Sequence, residues 1–178
     1  MNIRKALDTD LEAVLSVERA AFGSEEEAEL VRLLIADESA KPFLSLLAFE
    51  KGLSVGHILF SRAELKEAEA SVSCMILAPL AVIPEFQKSG IGGKLIKKGL
   101  QILSESGTDL VFVLGYPEYY QRFGFEPAIH RGFQAPYPIP SKHEDAWMVL
   151  SLHSEVIGLV SGKVVCANTL NKPEYWRE

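Results

Sequence analysis

Cysteine is scarce in this chain: Cys74 and Cys166 are the only two in 178 residues, and no Cys-x-x-Cys pair occurs. Both lie in apolar runs, where a buried free thiol is the ordinary outcome. A disulfide framework and a zinc site are therefore excluded as organising devices, and no metal ligand set is expected. Long apolar runs are missing too, since none approaches the roughly 20 residues of a membrane span. The opening "MNIRKALDTDLEAV" carries acids where a secretion signal has its apolar stretch, which predicts a soluble, cytoplasmic protein with no membrane partner. Positive charge is in deficit, with 18 Lys and Arg against 24 Asp and Glu and a formal net charge of -6. Such a chain repels a long polyanion, which argues against nucleic acid as a partner, while the local "KLIKK" patch can still attend a small anion. Repeats, low-complexity tracts and long linkers are absent as well. The expectation is a single domain over 1–178, and an apolar fraction of 48% is ample for its core.

What is present alternates between strand and helix periodicity. "NIRKA" reads as a short strand. Thr9 and Glu12 have capping-box spacing, and Leu11, Val14, Leu15 and Phe22 recur at helical intervals up to Gly23. Ser24 and Glu27 repeat the box before a second stripe of Ala28, Val31, Leu34 and Ile35. "PFLSLLAFEKGLSVGHILFSRAEL" reads as two strands across a Lys51-Gly52 turn, with His57 in the second and a polar connection near "KEAEAS" after it. "VSCMILAPLAV" is a strand interrupted at Pro79, which removes a ladder donor and predicts either an edge position or a local opening. Ile91, Leu95, Leu100 and Leu103 then form a helical stripe with Lys94, Lys97, Lys98 and Gln101 facing away, and "LVFVLG" follows as an apolar strand. Strand, helix, strand is the form of a crossover onto a parallel pair. "PEYYQRFG" is a short helix with Pro117 in its first turn and a glycine stop. A proline-rich loop, "PYPIPSKHED", leads to late strands "AWMVLSL" and "GKVVCA"; its Phe133, Tyr137 and His143 are suited to a lid over a cleft.

The glycines of "VIPEFQKSGIGGKLIKKGL" stand where a strand gives way to a helix. Amides from about Lys88 to Gly93 are the unpaired donors of the first turn. With the helix dipole they favour an anion, and missing side chains at Gly90, Gly92 and Gly93 let a phosphate approach. A Walker A loop is excluded because Leu95 follows Gly93-Lys94, and a Rossmann fingerprint because Leu95 stands where its third glycine belongs. A glycine-rich turn without a ligand is the plainer alternative.

"LAVIPEFQKSGIGGKLI" resembles motif A of the GNAT superfamily of N-acetyltransferases, a strand ending in Val-x-Pro followed by Q-x-x-G-x-G, here Gln87, Gly90 and Gly92. "YYQRFGFEP" is similar to that family's later motif, in which a tyrosine precedes Phe-Gly-Phe, and "ILAPLAV" is close to the YhbS-like branch. The resemblance covers Met1 to about Pro127, and 128–178 matches in general architecture alone. It implies a mixed α/β fold, with a central, mostly antiparallel sheet whose central strands splay apart and are flanked by helices. It implies acetyl-coenzyme A as cosubstrate, with Gln87, Lys88, Ser89, Gly90, Ile91, Gly92 and Gly93 around its pyrophosphate and Leu80, Ala81 and Val82 along its pantetheine. The activity implied is direct N-acetylation of a primary amine on a small molecule or protein. The alternative is a non-catalytic acyl-coenzyme A-binding or sensing protein, and homodimerisation is left open.

The resemblance also implies a division of catalytic roles. Tyr120, four residues before Gly124, matches the general acid that protonates the departing thiolate, with Tyr119 beside it as the packing aromatic, although the two are exchangeable. The backbone N–H of Val82 is expected to meet the oxyanion. A direct base is missing: "MILAPLA" carries no ionisable side chain where several family members have a glutamate. Glu18 and His57 are the expected water-relayed substitutes. Glu25 to Glu27 also serve as first-turn charges, His57 also reads as a hydrogen-bonded strand residue, and His130 and His143 read as surface. Cys74 has no neighbouring base or cation to activate it, so an acyl-cysteine route is disfavoured.

Overall fold

The computed structural model describes residues 1–66, 71–153 and 156–177. The chain runs β1 (Asn2–Lys5), α1 (Leu11–Phe22), α2 (Glu26–Ala36), β2 (Leu44–Glu50), β3 (Leu53–Leu65), β4 (Cys74–Val82), α3 (Ile91–Glu105), β5 (Leu110–Leu114), α4 (Pro117–Tyr120), β6 (Glu126–Pro127), β7 (Phe133–Gln134), β8 (Trp147–Ser151) and β9 (Gly162–Val165). Among the described residues the strands form one sheet in the order β1-β2-β3-β4-β5-β8-β6, with β9 joining β3 to β7. Pairing along that path is antiparallel except at β4 and β5, which run parallel on either side of the α3 crossover. This is the mixed, mostly antiparallel sheet flanked by helices that the resemblance implies. Part of the polar connection expected near "KEAEAS" falls at 67–70, outside the described residues.

Helix ends follow local chemistry, with one correction. α1 stops at Gly23, whose φ of 67° places it in the left-handed region that glycine enters without penalty. Its start does not use the Thr9–Glu12 box. Asp10 instead accepts the Leu7 N–H at 2.7 Å and pairs with Arg4 at 2.6 Å, tying the entry of α1 to β1. At α2 the Ser24 hydroxyl donates to Glu27 at 3.1 Å and accepts the Glu26 N–H at 3.4 Å, which realises the second box in part.

The sheet is buried on both faces. One face carries α1 and α2, with Val14, Leu15, Val31 and Leu34 against Leu47, Leu59, Ile76 and Phe112; the other carries α3, with Ile91, Leu95 and Ile96 against Leu46, Ile58, Phe60 and Val113. α3 sits close because Gly99 lacks a side chain: a Cβ there would lie 2.4 Å from the Phe60 ring.

β4 is not an edge strand; it lies between β3 and β5, and Pro79 marks a local opening instead. The β3–β4 register slips between Ile58 and Phe60, opposite Ala78 and Pro79. The extra residue reverses which side chains face each layer, as a bulge must. Before it Cys74, Ile76 and Ala78 face α1 and Met75 and Leu77 face α3; after it Ala81 and Ile83 pack with the α1 layer while Leu80 and Val82 turn toward α3. β4 pairs with β5 only from Cys74 to Leu77, so its last five residues run on beside an unpaired gap. That gap is the splay.

Candidate functional site

The gap and the first turn of α3 share one end of the sheet. Ile83 donates its N–H to Val55 O at 2.9 Å, toward β3. Strand amides alternate in direction, so the Val82 N–H and C=O face the other way, into the splay. The Val82 carbonyl accepts the Gln87 side-chain amide there at 2.9 Å. This corrects the reading of Gln87 as a ligand contact: its side chain holds the loop against β4, and its backbone N–H is taken by Pro84 O at 3.3 Å. Ser89 likewise donates its hydroxyl to Phe86 O. Lys88 and Gly90 adopt positive φ of 64° and 88° on either side of Ser89, turning the chain into α3. The helix ladder starts with Lys94 N–H to Gly90 O at 3.1 Å, which leaves the amides of Ile91, Gly92 and Gly93 without intrahelical acceptors.

The three glycines serve different ends. A Cβ at Gly90 would meet open space, consistent with a face left free for an anion. At Gly92 it would lie 2.7 Å from the Tyr119 hydroxyl, and at Gly93 3.2 Å from Phe123. The room at the last two is filled by the "YYQRFGF" segment rather than kept for a phosphate. Arg122 covers the same rings, 5.4 Å from the centre of Tyr119 and 5.6 Å from that of Phe123.

The two tyrosines are distinct. Tyr120 is buried, its ring 2.4 Å from where a Cβ on Gly115 would be, so Gly115 at the end of β5 is what admits it. Burial pushes the Tyr120 phenol well above the ordinary tyrosine value, and Tyr119 beside it adds to this. Tyr119 is half-buried between α4 and α3, and burial raises its phenol too, with Arg122 opposing. Both hold their protons at neutral pH.

Glu18 and His57, 39 residues apart in sequence, are brought into direct contact: His57 Nδ1 lies 2.6 Å from Glu18 Oε2, and neither side chain is exposed. Ser45, which the sequence reading passed over, completes the group with Oγ 2.8 Å from His57 Nε2. Two signals were present: Glu18 lies four residues after Val14 on the apolar stripe of α1, and Ser45 is the one polar residue of "FLSLLAF". Burial pushes the Glu18 carboxyl up; the hydrogen bond and charge of His57 pull it down, and Glu27 adds to the rise. His57 is the register partner of Ala81, the residue before Val82, so the group lies one strand from the splay on the α1 face.

Other candidates fall away. Glu25 pairs with Arg19 at 2.6 Å on the surface, and His130 stands exposed 3.6 Å from Asp145. Phe133 is not part of a lid but lies in the core, its ring 5.3 Å from that of Phe112. Tyr137 does border a cavity of about 390 Å³ floored by Trp147 and rimmed by Glu144 and Lys163; His143 does not. Burial pushes the Cys74 thiol up to about 12, the state of an inert thiol. No group of three metal-ligating side chains occurs among the described residues, and no described helix is long and apolar enough to cross a membrane.

Residues 2–128 match the family described as acetyltransferase (GNAT) domain. This chain belongs to the GNAT superfamily. It is 50% identical over 161 residues, 90% of this chain and 88% of the other, to the uncharacterized N-acetyltransferase YjhQ of Escherichia coli K12. It is 32% identical to YhbS of the same organism, over 92% of this chain and 95% of that one. The crystal structure of Escherichia coli YhbS in complex with coenzyme A matches at a TM-score of 0.86 with 30% identity, over 96% of this chain and 92% of that one. A GNAT family acetyltransferase from Brucella melitensis in complex with acetyl-coenzyme A matches at 0.73 with 30% identity, over 95% and 97%. The GNAT fold thus accounts for the splay and for the open helix turn beside it.

Proposed function

We propose that the chain is a single N-acetyltransferase domain that moves an acetyl group from acetyl-coenzyme A directly to a primary amine of a small molecule or protein. The observation that carries this reading is the meeting of two features at one end of the sheet: unpaired β4 backbone facing the splay, and the free first-turn amides of α3. The relatives solved with coenzyme A and acetyl-coenzyme A support it. The pyrophosphate rests on the amides from Lys88 to Gly93 over the open face of Gly90, and the pantetheine extends β4 at Leu80, Ala81 and Val82.

The chemistry follows from these placements. The neutral amine attacks the thioester carbonyl, a C–N bond forms, and the oxyanion that develops is met by the Val82 N–H, a donor with no partner in the sheet to give up. Collapse breaks the C–S bond. The thiolate, whose conjugate acid has a pKa of about 8.5, takes a proton from the Tyr120 hydroxyl, which burial keeps protonated until that moment. Glu18 and His57 serve as the base, acting on the acceptor through water.

Calorimetry of coenzyme A binding and thiol release from acetyl-coenzyme A over a panel of primary amines test the proposal together. Gly90→Asp places a carboxylate in the open face and an L side chain at positive φ, and is expected to weaken coenzyme A by at least about tenfold, some 1.4 kcal/mol. An unchanged affinity in the folded variant would exclude the cradle. Binding without thiol release for any amine would favour an acyl-coenzyme A sensor.

A further inference from the structure

The buried group of Glu18, His57 and Ser45 is open at one atom. Glu18 Oε1 is fully buried and has no hydrogen-bond partner among the described residues, whereas Oε2 is held by His57 at 2.6 Å. A buried carboxylate oxygen without a donor is rare in folded proteins and calls for a bound water or a ligand donor. The position of this oxygen is set by three elements: α1 carries Glu18, β3 carries His57, and β2 carries Ser45. His57 pairs across the sheet with Ala81, about 4.8 Å away as adjacent strands are spaced, and Ala81 adjoins the Val82 N–H that faces the splay. The open oxygen therefore belongs to a group one strand from the proposed reaction centre, on the face that α1 covers.

We infer that Glu18 Oε1 is the atom that accepts the acceptor amine's proton, through one water, and that His57 and Ser45 are positioning residues that keep Oε1 as the free lone pair. The inference rests on the acetyltransferase reading and separates the roles of two residues which that reading treats alike. Ser45 has a single hydroxyl hydrogen, and donating it to His57 Nε2 at 2.8 Å requires Nε2 to be bare. The imidazole hydrogen then stands on Nδ1 and is directed at Oε2, so Oε2 is occupied and Oε1 is left. In the transfer, the acceptor ammonium gives one proton to the water as the water gives one to Oε1. The amine lone pair is released for attack and Glu18 becomes a neutral carboxyl, while His57 keeps its Nδ1 hydrogen on Oε2. After the product leaves, the proton returns to solvent by the same water. Burial of the carboxyl and the charge of Glu27 on α2 both favour the protonated form, which gives the carboxylate more basicity than an exposed one.

Nitrogen-15 NMR of the imidazoles, with His57→Gln assigning one of the four histidines, reads the tautomer directly. The expected wild-type state near pH 7 is a hydrogen on Nδ1 and none on Nε2; a hydrogen on Nε2 would overturn the assignment, because Ser45 would then be an acceptor. Kinetics complete the test, using thiol release from acetyl-coenzyme A with the amine panel from about pH 6 to about pH 10. Glu18→Gln is expected to bind coenzyme A within about twofold of wild type, lose about 100-fold in kcat/KM and lose the acid limb of the profile. Ser45→Ala should move that limb without changing coenzyme A affinity, and Ser45→Thr, which keeps the hydroxyl, should restore it; that rescue also covers the case in which the alanine variant folds poorly. Turnover by Glu18→Gln with an unaltered profile overturns this inference alone. Absence of thiol release by wild type with every amine would overturn the transferase reading and this inference with it.

Discussion

Gly92 lacks a side chain because the Tyr119 hydroxyl occupies its place, and this has a measurable energy. A Cβ on Gly92 would lie 2.7 Å from that hydroxyl, while the next nearest atoms, in Leu80 and Val82, are at 3.7 and 3.8 Å, ordinary contact distances. The backbone at Gly92 is helical, so alanine fits it and favours the helix by up to about 1 kcal/mol, reduced to about 0.5 kcal/mol in a first turn. In the wild-type background the hydroxyl has to give way. It is the tip of a side chain, so the overpacking costs about 1–2 kcal/mol, the lower part of the usual range. Gly92→Ala alone is therefore expected to destabilise by about 0.5–1.5 kcal/mol, a fall in Tm of a few degrees at this chain length. In a Tyr119→Phe background the obstructing atom is gone, and the same substitution should stabilise by about 0.5 kcal/mol. The coupling between the sites is then about 1–2 kcal/mol, well beyond the roughly 0.3–0.5 kcal/mol scatter of independent positions. Urea unfolding of wild type, both single variants and the double variant measures it. Additivity of the two substitutions would refute the argument and return Gly92 to a phosphate-facing role.

Tyr120→Phe is expected to leave folding and coenzyme A affinity intact while lowering kcat by about 100-fold to 10,000-fold, as loss of a general acid does. Stopped-flow measurement of the chemical step checks it, and a slow Tyr119→Phe with a fast Tyr120→Phe would exchange their roles. Asp37 carries an acid-sensitive staple: its carboxylate accepts from Ser39 N and Oγ at 2.8 and 2.6 Å and from Thr169 N and Oγ at 2.9 and 2.7 Å, holding the C-terminal segment to the end of α2. Partial burial pushes this carboxyl up, but the four hydrogen bonds outweigh it and bring it down from 3.8 to about 2. A depressed acid stabilises above its unfolded value and loses that contribution as pH falls through its folded value, so the window runs from about 4 down to about 2. The depression is worth at most about 2.5 kcal/mol, and solvent screening lowers this to about 1 kcal/mol. Asp37→Ala should lower the urea midpoint at neutral pH and flatten its fall between pH 4 and pH 2; an equally steep acid fall in the variant would discount the staple.

Much of the architecture was legible in the chain itself because it rests on local periodicity. The stripe of Val14, Leu15 and Val17 to Glu18, the Lys51-Gly52 turn, and the strand–helix–strand run from Cys74 to Leu114 each depend on interactions within a few residues. The glycine-rich turn and the tyrosine before Gly124 were legible for the same reason, since a helix start and a left-handed stop are local events. What the tertiary structure decided was every relation that crosses the sheet. Pro79 is compatible with an edge or a central strand, and only pairing on both sides settled that β4 is central and opened by a slip of register. Gly92 and Gly93 look identical to Gly90 in sequence, yet Tyr119 and Phe123, more than 25 positions away, determine why they are bare. Glu18, His57 and Ser45 read separately as a helix acid, a strand histidine and a strand serine. They become one hydrogen-bonded group only because α1 lies across β2 and β3, and a buried carboxylate acquires its chemistry from the groups that folding places against it rather than from its neighbours along the chain.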